Sequence, residues 1–377
     1  TYDRDLNDIF VIQDEIAHAI ARELQLKLGA AHGGGGPRAD TGNLEAYDSY
    51  LKALSLWQAR GKENLFEAER LLRASLALDP GFAKAWSALA LTLTVLPEWS
   101  SAPLAASWLE ARDAAEHALA LEPMLPEPYA VLGYIAGGEF RFATSRALFQ
   151  RALTLAPSYA TGHQWHAEML TYEGDFARAD EVSLKSVQLD PKSPIMRWAR
   201  NNVLWGLGRD DEVVAVCETL LLERPDWRLC EAMTFNVTVL REDYAAARAM
   251  LRRMAQPRGA EAVRLADDLV DALEGKGDTR AVAEQLVQLN DGTVDPTSLT
   301  PLGHPDIVFL LARMGHQDLA LAKARWFAEA YPHFARAMVF DPHLRALGCE
   351  PGFQELAREL EVDDARIAAL CELRPGG

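Results

Sequence analysis

The chain has 377 residues, a formal net charge of −17 and a hydrophobic fraction of 49%. Nucleic-acid binding depends on Lys and Arg side chains that displace counterions from phosphates, so this acidic balance argues against a nucleic-acid partner for this chain. No run of about 18 apolar residues occurs in the sequence, so we expect no membrane insertion by this chain. We expect a cytoplasmic protein, and the composition fits the periplasm equally well.

The first 30 residues are predicted to form an amphipathic helix. Between Asn7 and Leu28, Ile or Leu recurs every three or four residues, and Gly29 provides a stop signal. The Gly-rich stretch over 31–43 is predicted to be a flexible linker. It lacks the Lys-Ser/Thr pair and the flanking strand of a phosphate-binding loop, so its glycines indicate no nucleotide site.

Prolines recur at a fixed interval in the middle of the chain. Pro123, Pro157, Pro191 and Pro225 are each 34 residues apart, and short apolar runs precede three of them. A period of about 34 residues is typical of a helix–turn–helix unit that buries its apolar face on the next unit. Because proline cannot continue a helix but suits the start of one, each proline marks the end of a unit.

Other residues are in phase with the prolines. In one unit, Tyr129, Leu132 and Gly133 lie at helical spacing in the first helix, and Ala152 lies in the second. The next unit has Gly174-Asp175-Phe176 as its turn. Small residues allow two helices to approach closely, and a glycine in the turn permits the left-handed conformation that ends a helix.

These positions resemble the tetratricopeptide repeat (TPR) family, in which Trp or Tyr comes early, Leu-Gly follows, Ala lies in the second helix and Pro ends the unit. The resemblance implies an all-α fold: a right-handed α-α superhelix of about seven to eight helix pairs over 44–339, followed by capping helices over 340–377. The interval from Pro80 to Pro123 exceeds the period, and we expect the surplus, Leu96–Ala106, to project as a loop or lengthen a helix.

Three segments are similar to a narrower group of proteins. The segments over 1–28, 159–195 and 340–360 resemble bacterial signalling proteins in which a TPR array follows an adenylate or guanylate cyclase or a winged-helix DNA-binding domain. This resemblance implies a regulatory or sensory module. It also implies that residues 1–30 are the remnant of an upstream α/β domain.

We predict no catalytic residues, no metal site and no cofactor. His163 and His166 are three residues apart on one predicted helix, but both occupy packing positions of the repeat, and no nearby Cys or carboxylate completes a set of metal ligands. No serine lies in a Gly-x-Ser-x-Gly context. The chain is therefore not expected to be an enzyme.

The four cysteines, Cys217, Cys230, Cys349 and Cys371, lack the spacing of metal ligands. We interpret them as buried small hydrophobic residues. Disulfides between Cys217 and Cys230 and between Cys349 and Cys371 are the alternative if the chain is exported.

In a TPR array the first helix of each pair lines the inner groove, and four positions of the repeat share the face that points there. Placing these positions on the sequence, with one neighbouring aromatic residue, gives the candidate binding residues Tyr134, Gln164, Glu168, Tyr172, Trp198, Asn202, Trp205 and Asn236.

Two types of side chain stand out among these candidates. Asn202 and Asn236 are one repeat apart and could bond the backbone of a peptide through their amides. Trp198 and Trp205 would supply an apolar anchor. The alternative is that these tryptophans pack against the neighbouring repeat or a returning C-terminal helix.

We predict a non-catalytic TPR scaffold that binds a protein or peptide on its concave face. The carboxylate clamp of the family uses Lys and Asn, and the Lys is missing here. A peptide with Arg or Lys beside apolar residues is therefore the expected partner. The alternative is a small-molecule sensor coupled to an upstream domain, with a ligand enclosed near Trp198 and Trp205. A helical toroid enzyme would need metal ligands that the sequence lacks.

Overall fold

The computed structural model describes residues 41–100, 102–225, 227–289 and 304–372. The helix predicted over 1–30 lies outside these ranges, as does nearly all of the predicted linker. Within them every regular element is helical, which confirms the prediction of an all-α fold.

The helices follow one another in packed pairs. The described chain contains nineteen α-helices: α1 (Leu44–Ala59), α2 (Lys62–Leu78), α3 (Ala83–Trp99), α4 (Leu104–Leu121), α5 (Pro126–Gly138), α6 (Phe142–Leu155), α7 (Ala160–Glu173), α8 (Phe176–Leu189), α9 (Pro194–Gly206), α10 (Asp210–Glu223), α11 (Arg228–Leu240), α12 (Tyr244–Ala255), α13 (Ala260–Leu273), α14 (Thr279–Leu289), α15 (His304–Arg313), α16 (Gln317–Ala330), α17 (Pro332–Val339), α18 (Pro351–Glu359) and α19 (Asp364–Glu372). Helices α1 to α16 form eight successive pairs, which confirms the predicted solenoid.

The regularly spaced prolines end the units as predicted. Pro123, Pro157, Pro191 and Pro225 each lie two residues after the last residue of a second helix, namely α4, α6, α8 and α10. Proline has no N–H to donate to the preceding turn, so the second helix stops and the chain turns into the next pair.

Close helix packing within a pair depends on small residues. A Cβ atom at Gly133 on α5 would lie 3.1 Å from the ring of Phe149 on α6. The Ser145 hydroxyl on α6 donates a hydrogen bond to the Gly133 carbonyl oxygen at 2.7 Å. The glycine thus allows an aromatic ring and a buried hydroxyl to approach the backbone of the partner helix.

The residues in excess of the 34-residue period lengthen two helices. Helices α3 and α4 have 17 and 18 residues, whereas α5 and α6 have 13 and 14. The extended parts pack together, because Trp108 Nε1 on α4 donates to the Thr94 carbonyl oxygen on α3 at 3.1 Å. Of the two outcomes expected for Leu96–Ala106, the structure shows the longer helices, which end around a short connection.

The C-terminal part returns to the first half of the array. We define the inner face as the surface formed by the first helices of the pairs. Helix α17 packs against α5 and α7 on this face. Tyr331 donates its hydroxyl to the Pro97 carbonyl oxygen at 3.4 Å, and Phe334 packs against both large apolar cores of the molecule.

The cysteines are paired. Cys217 on α10 and Cys230 on α11 form one disulfide, and Cys349 and Cys371 form another. The interpretation of the four residues as unpaired hydrophobic side chains is wrong, because the turn between α10 and α11 brings the first two Cα atoms within 5.0 Å of each other. The disulfides that the sequence left as an alternative are present.

Candidate binding site on the inner face

Four of the eight candidate residues come together on α5 and α7. Tyr134 lies on α5, and Gln164, Glu168 and Tyr172 follow one another at intervals of four residues on α7. Because four residues are about one turn of an α-helix, these three side chains share one face of α7. The Tyr134 ring lies 4.9 Å from the ring of Trp165, which fixes it against the same helix.

Glu98, at the end of α3, completes this group. The Tyr134 hydroxyl donates to Glu98 Oε1 at 2.6 Å, and Gln164 Nε2 donates to Glu168 Oε1 at 2.8 Å. We call Glu98, Tyr134, Gln164, Glu168 and Tyr172 the inner cluster. Its members come from the first helices of three consecutive pairs.

One guanidinium group lies beside the inner cluster. Arg60 follows α1 and is 6% exposed. Its guanidinium lies 3.7 Å from the Trp57 ring centroid and donates a hydrogen bond to the Trp57 carbonyl oxygen. Burial lowers the pKa of Arg60 to about 10, and the charges of Glu98 and Glu168 oppose that effect. The carboxyl groups therefore compensate the buried positive charge to the extent that they are ionised.

Burial also raises the pKa of both carboxyl groups. Desolvation raises the pKa of Glu98 to about 7, against the hydrogen bond from Tyr134 and the charge of Arg60. Desolvation, followed by the charge of Glu98, raises the pKa of Glu168 to about 8. As whole residues, both glutamates remain partly exposed. Near neutral pH, Glu168 is mostly protonated.

Two buried polar side chains at the cluster have atoms without hydrogen-bond partners within the described part of the chain. These atoms are Gln164 Oε1 and both ring nitrogens of His333, which lies on α17. His333 is fully buried, its ring 5.0 Å from that of Trp108 and 5.5 Å from that of Tyr172, and burial lowers its pKa to about 3. Buried polar atoms nearly always have partners, so these atoms are candidates for hydrogen bonds to a water molecule or a ligand.

Helix α17 covers one side of the inner cluster, and Arg336 holds it there. Arg336 is 4% exposed; its Nε donates to the Tyr172 carbonyl oxygen at 2.8 Å, and its Nη1 donates to the Leu360 carbonyl oxygen. The guanidinium carbon also lies 5.3 Å from the ring centroid of Phe140 and 5.0 Å from that of Phe142. One side chain thus connects α17 to two distant parts of the chain.

Trp205 contacts the returning C-terminal segment. Its Nε1 donates to Asp341 Oδ2 at 2.9 Å, and its ring lies 3.9 Å from that of His343. The ring nitrogens of His343 are 3.0 Å from Asp210 Oδ1 and 2.9 Å from Asp341 Oδ1. Burial lowers the pKa of His343, but these two hydrogen bonds outweigh it and raise the pKa to about 9. The packing of Trp205 matches the alternative of a returning C-terminal segment.

The other three candidate residues lie in three different surroundings. Trp198 packs beside the Cys217–Cys230 disulfide in a small apolar cluster that does not include Trp205. Asn202 is exposed on α9, whereas Asn236 on α11 is 2% exposed. The structure therefore brings together neither the two tryptophans nor the two asparagines as one open surface.

The two histidines of α7 pack within the array. His163 Nε2 lies 3.0 Å from the Pro157 carbonyl oxygen, and the His166 ring stacks on that of Phe149 at 5.2 Å. Among the residues that the structure describes, no three His, Cys, Asp or Glu side chains are grouped to hold a metal ion.

Arg60, Glu98 and His333 were not among the residues predicted from the sequence. Glu98 falls in the surplus segment between two units, outside the repeat frame that assigned the other residues. One signal was available: Glu98 follows the uncharged stretch 85–97, where an isolated carboxylate is unusual. No local signal marks His333, because its contacts with Trp108 and Tyr172 join distant parts of the sequence.

No family model matches the chain. One curated relative, "Putative adenylate cyclase 3" of Rhizobium meliloti (strain 1021), is 33% identical over 105 residues. That match covers 27% of this chain and only 18% of the relative, so the chain spans less than a fifth of that protein.

Three solved structures show similarity at low identity. Yeast Tom70 is 13% identical, with 99% of this chain and 79% of that chain covered at a TM-score of 0.45. A thermophilic TPR protein of Thermus thermophilus is 20% identical, with coverages of 54% and 98% and a TM-score of 0.41. A tetratricopeptide repeat protein from Parabacteroides merdae is 11% identical, with coverages of 85% and 100% and a TM-score of 0.38.

Proposed function

We propose that the chain is a non-catalytic scaffold that binds a protein or peptide on its inner face. The observation that carries the proposal is the continuity of the inner cluster, to which α3, α5 and α7 each contribute a polar or aromatic side chain. Stacked helix pairs present extended concave surfaces of this kind to their partners.

The partner is proposed to present a basic residue beside apolar ones. Glu98 and Glu168 are partly exposed residues next to the aromatic side chains of Tyr134 and Tyr172. The net charge of −17 favours the approach of a basic segment over an acidic one.

We further propose that this scaffold is the regulatory or interaction module of a bacterial signalling protein. The support is the 33% identity over 105 residues with the protein named as an adenylate cyclase. We do not propose cyclase activity for this chain. Its inner face would instead connect a partner to an effector elsewhere in the protein.

Photo-cross-linking in cells of the native organism tests the scaffold proposal. A photoreactive amino acid in place of the partly exposed Trp99 puts the label next to Glu98 and leaves every residue of the inner cluster intact. The same label at Leu184, which is 44% exposed on the second helix α8, serves as the control. We expect a discrete protein adduct from position 99 alone. Equal labelling from both positions, or no adduct at 99 in any growth condition, would contradict the proposal.

Sensing of a small molecule is the second candidate, and the position of α17 favours it. Ligand sites are concave surfaces with a few converging polar groups, and α17 packs over one side of such a polar group on the inner face. A thermal-shift screen of metabolites against the wild type and Glu168→Gln separates the two candidates. A metabolite that stabilises only the wild type would favour sensing over scaffolding.

The compartment is also a proposal. In the stretches that the structure describes, no helix has the length and apolar character to cross a membrane. Composition leaves the cytoplasm and the periplasm open, and we propose the periplasm because disulfides such as Cys217–Cys230 persist mainly in oxidising compartments. Alkylation of thiols after the cells are quenched in acid and the proteins denatured tests this, because Cys217 and Cys230 are buried in the fold. Four reactive cysteines would place the chain in the cytoplasm.

A further inference from the structure

The inner cluster and the adjacent Arg60 contain more acidic groups than basic groups, and the acidic groups are incompletely paired. Two carboxyl groups, of Glu98 and Glu168, are near one guanidinium group, that of Arg60. The Arg60 hydrogen bond goes to the Trp57 carbonyl oxygen, and its guanidinium lies over the Trp57 ring. Arg60 therefore acts on the two carboxyl groups only through space, and their hydrogen-bonding capacity remains for another group.

When Glu98 and Glu168 are ionised, the polar atoms left over are acceptors. Tyr134 occupies one oxygen of Glu98, and Gln164 Nε2 occupies one oxygen of Glu168, so each carboxylate keeps a second oxygen. Gln164 is 4% exposed, and its Oε1 is buried with no hydrogen-bond partner in the part of the chain that the structure describes. The Gln164 amide is held by its hydrogen bond to Glu168. Its unsatisfied oxygen is an observation separate from the number of charged groups. An amide oxygen beside two carboxylates suits a ligand that offers several N–H donors.

We propose that Glu98, Gln164 and Glu168 form a receptor for one organic cation, a primary ammonium or a guanidinium group. The cation is either a Lys or Arg side chain of the partner or a free aliphatic amine. The inference rests on the proposed function, because it specifies the chemistry that the same inner face recognises.

Cation uptake is coupled to proton release. Before binding, Glu168 carries a proton near neutral pH because burial disfavours its charge. The incoming cation pairs with the carboxylate, so the carboxyl O–H bond breaks and the proton passes to the buffer. The groups that face the two carboxyls are Arg60, Tyr134, Tyr172 and Tyr331. Burial raises the pKa of each of these tyrosines, so the tyrosines stay neutral.

Isothermal titration calorimetry on the full chain tests the receptor. The probes are Nα-acetyl-arginine amide, Nα-acetyl-lysine amide and agmatine, and the neutral control is Nα-acetyl-citrulline amide. We expect at least one cationic probe to bind at least tenfold more tightly than the citrulline control. We also expect at least tenfold tighter binding at pH 8.5 than at pH 6, with proton release visible as a dependence of the heat on the buffer. Binding of agmatine alone would identify a free amine as the ligand. Binding of the amino-acid amides would identify a Lys or Arg side chain of a partner as the ligand.

Isosteric variants localise the binding. Glu168→Gln and, as a second variant, Glu98→Gln should each weaken binding at least tenfold, while Glu218→Gln, at an exposed position on α10, leaves it unchanged. The melting temperature of each variant checks that it is folded, and having two variants keeps the test valid if one fails to fold. Binding that does not change in either variant would overturn the inference.

Other outcomes separate this inference from the proposed function. If no cationic probe binds, or if citrulline amide binds equally well, the receptor is wrong. Should cross-linking from position 99 still capture a partner in that case, the scaffold proposal stands without it. If a cation binds but no partner is captured, the receptor stands and the scaffold proposal fails.

Discussion

Two regions of the inner face, one at α5 and α7 and the other at α9, use equivalent positions of the repeat. They differ in the C-terminal segment that packs against them. At α7 the covering helix leaves polar atoms of Gln164 and His333 without partners among the described residues. At α9 the covering segment hydrogen-bonds Trp205 through Asp341. The repeat position therefore determines which face of the array a side chain occupies. The segment packed against that face determines whether the side chain remains available for a ligand.

The two regions also differ in how the C-terminal segment is attached. At α7, Arg336 donates to backbone carbonyl oxygens and lies among aromatic rings. At α9, His343 lies between two carboxylates. The first attachment depends on packing and on a permanent charge, and the second depends on a charge that can be titrated. Three predictions test this difference.

The largest effect is expected from Arg336→Met, which breaks the attachment at α7. The variant leaves the Tyr172 and Leu360 carbonyl oxygens without their donor and removes contacts to three aromatic rings. We expect a loss of about 3–5 kcal/mol in the free energy of unfolding, measured by urea denaturation.

Arg325→Met is the matched control for Arg336→Met. Arg325 lies on the neighbouring helix α16 and forms surface ion pairs with Glu355 and Glu359. Exposed ion pairs contribute little, so we expect a loss below about 1 kcal/mol. Equal losses in the two variants would show that α17 is not specifically held by Arg336.

A smaller effect is expected from His343→Ala, which removes the titratable group that attaches the C-terminal segment at α9. Because the folded-state pKa of His343 is raised to about 9, its charged form stabilises the fold fully below about pH 6.5, and this contribution is lost as the pH rises through about 9. We expect the variant to lose about 2 kcal/mol at pH 6 and much less at pH 10. A loss that does not change with pH would indicate a packing role alone.

The smallest effect on the free energy of unfolding is expected from the ionisation of Glu98 and Glu168 in the inner cluster. The folded-state pKa values of Glu98 and Glu168 are raised to about 7 and about 8, so the stability that they contribute is present below about pH 4.5 and is lost as the pH rises through these values. Because both residues are partly exposed, we expect only about 1–2 kcal/mol between pH 5 and pH 9.

The double variant Glu98→Gln/Glu168→Gln checks this pH dependence. It removes both titrations, so its free energy of unfolding should vary less between pH 5 and pH 9 than that of the wild type. The titration of His343 acts in both proteins and cancels in the comparison. A pH profile that does not differ from that of the wild type would contradict the raised pKa values of the two carboxyl groups.

The local architecture could be predicted from the sequence because its signals are local. The spacing of Pro123 to Pro225 set the period, and the equivalence of positions within it placed Tyr134, Gln164, Glu168 and Tyr172 on the same part of the inner face. Each of these inferences needs only neighbouring helices, and helix periodicity encodes neighbouring helices directly.

The remaining features depend on contacts between distant residues. The hydrogen bond from Arg336 to Tyr172 joins residues 164 positions apart, and that from Tyr331 to Pro97 joins residues 234 positions apart. No repeat pattern encodes such a return, so the covering of Trp205 stayed only an alternative. The pairing of Cys217 with Cys230 also stayed open, because it depends on the precise turn between two helices.

The return of α17 also limits how this array can change in evolution. In an open solenoid each pair contacts only its neighbours, so duplication or loss of a pair changes the length and little else. Here a pair inserted between α3 and α17 would separate Tyr331, His333 and Arg336 from some of their partners on the first half of the array, which lie on α3 and α7. Duplications are therefore tolerated only outside the interval that joins these two helices, and within it the number of pairs is fixed.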